Sequence, residues 1–165
     1  MKSYVVRAYY FAKYIFSRVN NIYNEGEVID AMNEARKHFH LHANFTFGSS
    51  RYAIVTKDFV IKWDRNDCYE IGLCEDELRM YEWSVKCGYE YLLAKITPIY
   101  FNNMFFYVMP TILKTDPREN GGDISDYLDE MEYWWVQSNI RDLHGYNWGL
   151  KDDRPVIIDY ACRQR

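Results

Sequence analysis

Between Tyr4 and Phe39 the apolar residues recur every three or four positions, whereas from Phe45 onward β-branched and aromatic residues crowd together between short polar turns. A helical period cannot be laid into a sheet without turning half of its apolar side chains to water, so this switch demands a helical segment followed by a sheet. Tyr4, Ala8, Phe11, Ile15, Val19 and Ile22 mark one helix face, and Val28, Met32, Ala35 and Phe39 mark a second after the break at Asn24-Glu25-Gly26. Glu25 and Glu27 near the start of the second helix, with Lys37, His38 and His40 near its end, suit the helix dipole. Residues 1–43 therefore read as a helical extension.

Strands are expected near 45–47, 51–56 and 59–63, around turns at Gly48-Ser49-Ser50 and Lys57-Asp58. Helical spacing returns over 75–87 through Leu78, Tyr81, Trp83 and Val85. Residues 96–100 and 104–109 then alternate as two strands about Asn102-Asn103, and Pro110 ends the sheet. A polar loop over 114–122 leads to an acidic helix from about Ser125 to Ser138, and Val156-Ile157-Ile158 is the last strand-like run.

With 165 residues and 48% apolar side chains, the chain is the size of one domain with a proper core. A net charge of −4 lacks the basic excess of a nucleic-acid reader. Cys68, Cys74, Cys87 and Cys162 form no CxxC pair and are expected as reduced thiols in a cytoplasm. Arg7, Lys13 and Arg18 interrupt the N-terminal apolar residues, so neither a signal peptide nor a transmembrane segment is expected. The first helix is read as a docking helix for the acidic 123–132 segment, with a membrane-surface face as the alternative.

Asp142-Leu143-His144-Gly145-Tyr146-Asn147 follows the acidic helix, and Asp159 comes 17 residues after Asp142 at the end of an apolar run. Phosphoryl transfer needs a carboxylate beside the attacking hydroxyl, with an amide oxygen and a second carboxylate to hold Mg²⁺. Asp142, Asn147 and Asp159 supply those three oxygens. Upstream, Lys62 lies in an expected strand, and Glu77 in the next helix is placed to steer it.

In these residues the chain resembles the protein-kinase-like superfamily. Phe47-Gly48-Ser49-Ser50-Arg51-Tyr52-Ala53-Ile54-Val55 resembles a reduced glycine-rich loop, Val60-Ile61-Lys62 the VAIK strand, and Glu77 with Met80-Tyr81 the glutamate helix. Tyr107-Val108-Met109-Pro110 resembles the hinge that receives adenine, Ile140 to Asn147 the HRDLKxxN loop, and Ile158-Asp159-Tyr160-Ala161 the DFG segment. The resemblance implies an α+β protein-kinase-like fold: an antiparallel N-lobe over 44–110, a reduced C-terminal lobe over 111–165 and extra N-terminal helices. It implies ATP and Mg²⁺ as cofactors, with Asp142, Lys62 and His144 catalytic. Gly48, Ser49, Ser50, Lys62, Glu77 and Met109 would bind nucleotide, and Asn147 and Asp159 metal.

The departures point another way. Ser50 stands where the family has glycine, Ile140 replaces the HRD histidine, Ala161 replaces the DFG glycine, and His144 stands in the place of a lysine. Arg165 follows Asp159 by 6 residues, so no activation segment or substrate platform is expected. The apolar surface this would leave is expected to be covered by the helices of 4–42 or by a second copy of the chain.

Plainer roles exist for each residue. Lys62 can be an edge-strand lysine that blocks aggregation, Glu77 a solvated helix carboxylate, and Asp142 and Asn147 turn or cap residues. His144 can be an ordinary loop histidine. His38 and His42 have the i, i+4 spacing of zinc ligands, but with no third ligand nearby they read as helix-end charge. Tyr133, Trp134 and Trp135 are core plus surface, or a partner interface. Two function classes follow: a cytoplasmic phosphotransferase of bacterial or phage type acting on a hydroxyl, or a pseudokinase that sequesters a partner protein.

Overall fold

The computed structural model describes residues 3–66, 72–112, 123–140, 143, 145 and 147–160. They fold as α+β, in two compact units: Met1–Cys74 with Ile96–Thr111, and Glu75–Lys95 with Ile112–Arg165.

In the first unit, α1 (Tyr4–Phe16) and α2 (Glu25–Phe39) precede a five-stranded antiparallel sheet. Its strands are β1 (Ala43–Phe47), β2 (Arg51–Thr56), β3 (Phe59–Asp64), β4 (Thr97–Phe101) and β5 (Met104–Pro110), in the order β1-β2-β3-β5-β4. The stripe predicted over 4–22 is helical only to Phe16. Beyond it the Glu27 carboxylate accepts the Asn20 and Asn21 N–H groups at 2.7 and 3.3 Å, turning the chain toward α2. Asn24 caps α2 by accepting the Glu27 N–H, and Asn24 Nδ2 donates back to Glu27 Oε1 at 3.0 Å.

The apolar faces of both helices cover one face of the sheet. Ala8, Phe11, Ala12, Ile15 and Phe16 of α1 and Val28, Met32 and Ala35 of α2 share one core with Ile54, Phe59, Ile61, Trp63, Phe106 and Val108. The Phe16 ring lies 5.2 Å from Trp63 and 5.4 Å from Phe106. Each fully buried Val, Ile, Phe or Met among them contributes about 1.5–3 kcal/mol, which is what holds helices this short. The apolar stripes of both helices are thus buried on the sheet of the first unit. Two basic side chains of this segment find partners here too: Arg7 of α1 pairs with Asp58, and Arg18, just beyond α1, stacks on Tyr14 and lies 3.9 Å from Glu34.

The β4–β5 turn, Asn102-Asn103, has both φ angles positive (49° and 61°), the geometry a two-residue hairpin requires and asparagine tolerates. Asp64 closes β3 and accepts the N–H groups of Gly72 and Cys74 at 3.1 and 3.0 Å, capping the start of α3 (Leu73–Cys87).

The second unit holds the rest of α3, a 3₁₀ turn at Glu90–Leu92, a second at Ile124–Tyr127, α4 (Glu130–Asn139) and a hairpin of β6 (Trp148–Lys151) and β7 (Arg154–Ile157). The acidic helix starts at Glu130 and not near Ser125. Asp129 and Glu132 form a reciprocal capping box at its N-terminus, and only 3₁₀ geometry precedes it. Leu93 bridges Ile157 in parallel, Ala94 N–H donates to Ile157 O at 2.8 Å, and Trp135 stacks on Tyr89 at 5.0 Å. No helix among the described residues is long and apolar enough to cross a membrane. Cys74 and Cys87 are thiols.

Candidate functional site

In the first unit, strand alternation puts the covered residues Phe59, Ile61 and Trp63 on the helix side, and Val60 and Lys62 on the opposite face. Register places Val60 beside Met109 and Lys62 between Ala53 and Tyr107. Lys62 Nζ lies 5.9 Å from the Tyr107 ring centroid. β3 has a neighbour on either side, so Lys62 is not an edge-strand lysine. Met109 is buried inside β5, and all of Tyr107–Pro110, the segment likened to a hinge, belongs to that strand.

Gly48, Ser49 and Ser50 form the β1–β2 turn, with Gly48 N–H donating to Arg51 O at 2.9 Å and the two serine hydroxyls 3.3 Å apart. A Cβ at Gly48 would meet nothing within 4 Å. Arg65, the residue after β3, holds this turn: its N–H donates to Ser50 O at 3.0 Å, its guanidinium to Gly48 O at 3.2 Å. The same guanidinium lies over the Phe47 and Tyr52 rings at 5.7 and 5.2 Å. Sequence reasoning missed Arg65, because nothing in its neighbourhood marks a residue that reaches 17 positions back.

In the second unit, Glu77 is fully buried, so it is not a solvated helix carboxylate. Its Oε1 accepts the Tyr160 N–H at 2.8 Å, and Tyr160 O–H donates to Ala94 O at 2.8 Å. Asn147 is buried, and its carbonyl accepts the N–H groups of Ile158 at 2.7 Å and Asp159 at 3.3 Å. The amide of Asn147 and the carboxylate of Asp159 thus leave neighbouring backbone positions, and Glu77 fixes the residue that follows. An amide and a carboxylate are hard oxygen donors, the set that suits Mg²⁺ when substrate phosphates complete its shell. Asp142 and His144 lie outside the described residues. Ile140 is a core residue.

Trp135 is buried while Met131, Tyr133 and Trp134 of α4 are exposed, Trp134 at 63%. The Tyr91 phenol donates to Glu132 at 2.9 Å, and burial together with that carboxylate pushes its pKa up to about 12.

No protein-family model matches the chain, and no curated protein matches it.

Proposed function

We propose that the chain is a small protein-kinase-like phosphotransferase that uses ATP and Mg²⁺ to phosphorylate a hydroxyl. The observation that carries this reading is the joining of Asn147 to Asp159 through one carbonyl, with buried Glu77 bonded to the next residue. A helix inserted between β3 and β4 of an antiparallel sheet, directly after the strand that bears Lys62, supports it further.

In this reading Asn147 and Asp159 would hold the metal, and Lys62 would neutralise phosphate charge. Gly48, Ser49 and Ser50 would receive the phosphates, and Met109 the adenine. Asp142 orients the acceptor hydroxyl and takes its proton as the acceptor oxygen bonds to the γ-phosphorus and ADP leaves. Bound Mg²⁺ offsets negative charge on the phosphate oxygens.

Mg²⁺-ATP is expected to raise the melting temperature of the wild type and to do so far less in D159A, with phosphate transfer lost in D142N. Saturating Mg²⁺-ATP that produces neither a shift nor calorimetric heat overturns the reading.

The exposed Met131, Tyr133 and Trp134 of α4 favour a second reading, a binding protein that acts without catalysis. Partner capture that survives K62A/D159A and fails in W134A would select it.

A further inference from the structure

The chain carries a net charge of −4, yet cations gather at one end of α2. An open groove of about 650 Å³ is lined there by Asn33, Arg36, Lys37, His40, Leu41 and His42, with no carboxylate among them. Asn33, Arg36, Lys37 and His40 stand at i, i+3, i+4 and i+7, a single helix stripe. Arg36 Nη1 donates to Asn33 Oδ1 at 3.3 Å, keeping the guanidinium on that stripe. Among the described residues neither Arg36 nor Lys37 has an ion pair; Glu34, one turn before Lys37 on α2, lies toward Arg18.

Helix-dipole compensation accounts for cations in the last turn of α2. It does not account for His42, which lies beyond the helix and still lines the same groove. Nor does it account for His40, which ends α2 in the left-handed region (φ 52°, ψ 45°), where glycine is the usual residue. A side chain kept where its backbone is disfavoured points to a use for the side chain.

We propose that this groove binds a small phosphorylated molecule, recognised through its phosphates. Arg36 offers the planar fork that matches phosphate oxygens, Lys37 a point charge, and the two imidazoles further donors. The volume suits more than one phosphate group. No Phe, Tyr or Trp ring lines the groove, so its contacts to a ligand are polar and charged apart from Leu41. The site lies at the Ala43 end of β1, opposite the Gly48 turn, and stands whether or not the phosphotransferase reading does.

The test titrates pyrophosphate into the 165-residue K62A/D159A protein, which separates this site from any nucleotide binding, and follows the His40 and His42 ring signals by NMR. Saturable shifts of both signals are expected below about 10 mM, and roughly tenfold weaker binding in the same protein carrying R36Q/K37Q. H40G should fold with an unchanged or higher melting temperature and also bind more weakly. Absence of saturable shifts, equal binding in the R36Q/K37Q protein, or equal binding of an oligo-aspartate peptide each overturns the proposal, the last assigning the groove to an acidic partner.

Discussion

The Glu77 carboxylate, wholly shielded from solvent, accepts the backbone N–H of Tyr160 at 2.8 Å across 83 residues of sequence. Truncating it strands a buried donor. E77A is expected to lose about 1–3 kcal/mol of stability, and E77Q, which keeps an acceptor oxygen, less. Urea midpoints for the two variants measure the difference; equal losses would mean that the bond to Tyr160 contributes nothing.

Gly48 is free of steric demands from the protein, since a Cβ there meets nothing within 4 Å and its φ is not in the left-handed range. G48A should therefore leave the melting temperature unchanged or raise it slightly, by removing freedom from the unfolded chain. If the turn approaches phosphates, the same substitution should weaken Mg²⁺-ATP binding measured by calorimetry. Unaltered ATP affinity would detach this turn from the nucleotide.

Asp64 caps α3 from the end of β3, accepting two N–H groups. D64A is expected to cost about 0.5–2 kcal/mol, the usual loss for a helix cap, and D64N less. Hydrogen exchange at the Cys74 amide should accelerate in D64A, and unchanged protection there would count against the cap.

The raised pKa of Tyr91 makes the folded protein sensitive to alkali. Between about pH 10 and about 12 the unfolded chain gives up the phenol proton before the folded one, so the unfolded state binds fewer protons and stability falls as pH rises. The contribution is complete below the unfolded value and disappears as pH passes the folded one. Tyr91 is 47% exposed, so solvent screening keeps it small. Denaturant midpoints near pH 9 and near pH 11.5 should converge in Y91F relative to wild type.

Periodicity made most of the elements legible, because burial against a single face leaves a trace at every third or second residue. Three features escaped it. α1 stops at Phe16 although Val19 and Ile22 continue its stripe, since Glu27 captures the Asn20 and Asn21 N–H groups. α4 begins at a capping box, Asp129 to Glu132, whose D-x-x-E pattern is visible in the sequence and marks the start better than the acidic run does. β6 went unseen because it is four residues long and its turn is Asp152-Asp153, with φ of 53° and 60°, in place of the usual glycine. At the candidate site, residue types and spacing pointed to Asn147, Asp159 and Glu77. That a single carbonyl joins the first two, and that Tyr160 engages the third, follows from hydrogen bonds that span 11 to 83 positions and leave no local pattern.

The first unit is discontinuous in sequence, and its core closes only when Phe106 of β5 meets Phe16 of α1. During synthesis at about 5–20 residues per second, the 90 positions between them take roughly 5–18 s to emerge. For that interval Phe11, Ile15 and Phe16 have no completed sheet to cover, and the nascent chain presents an apolar helix to whatever chaperone waits at the ribosome exit.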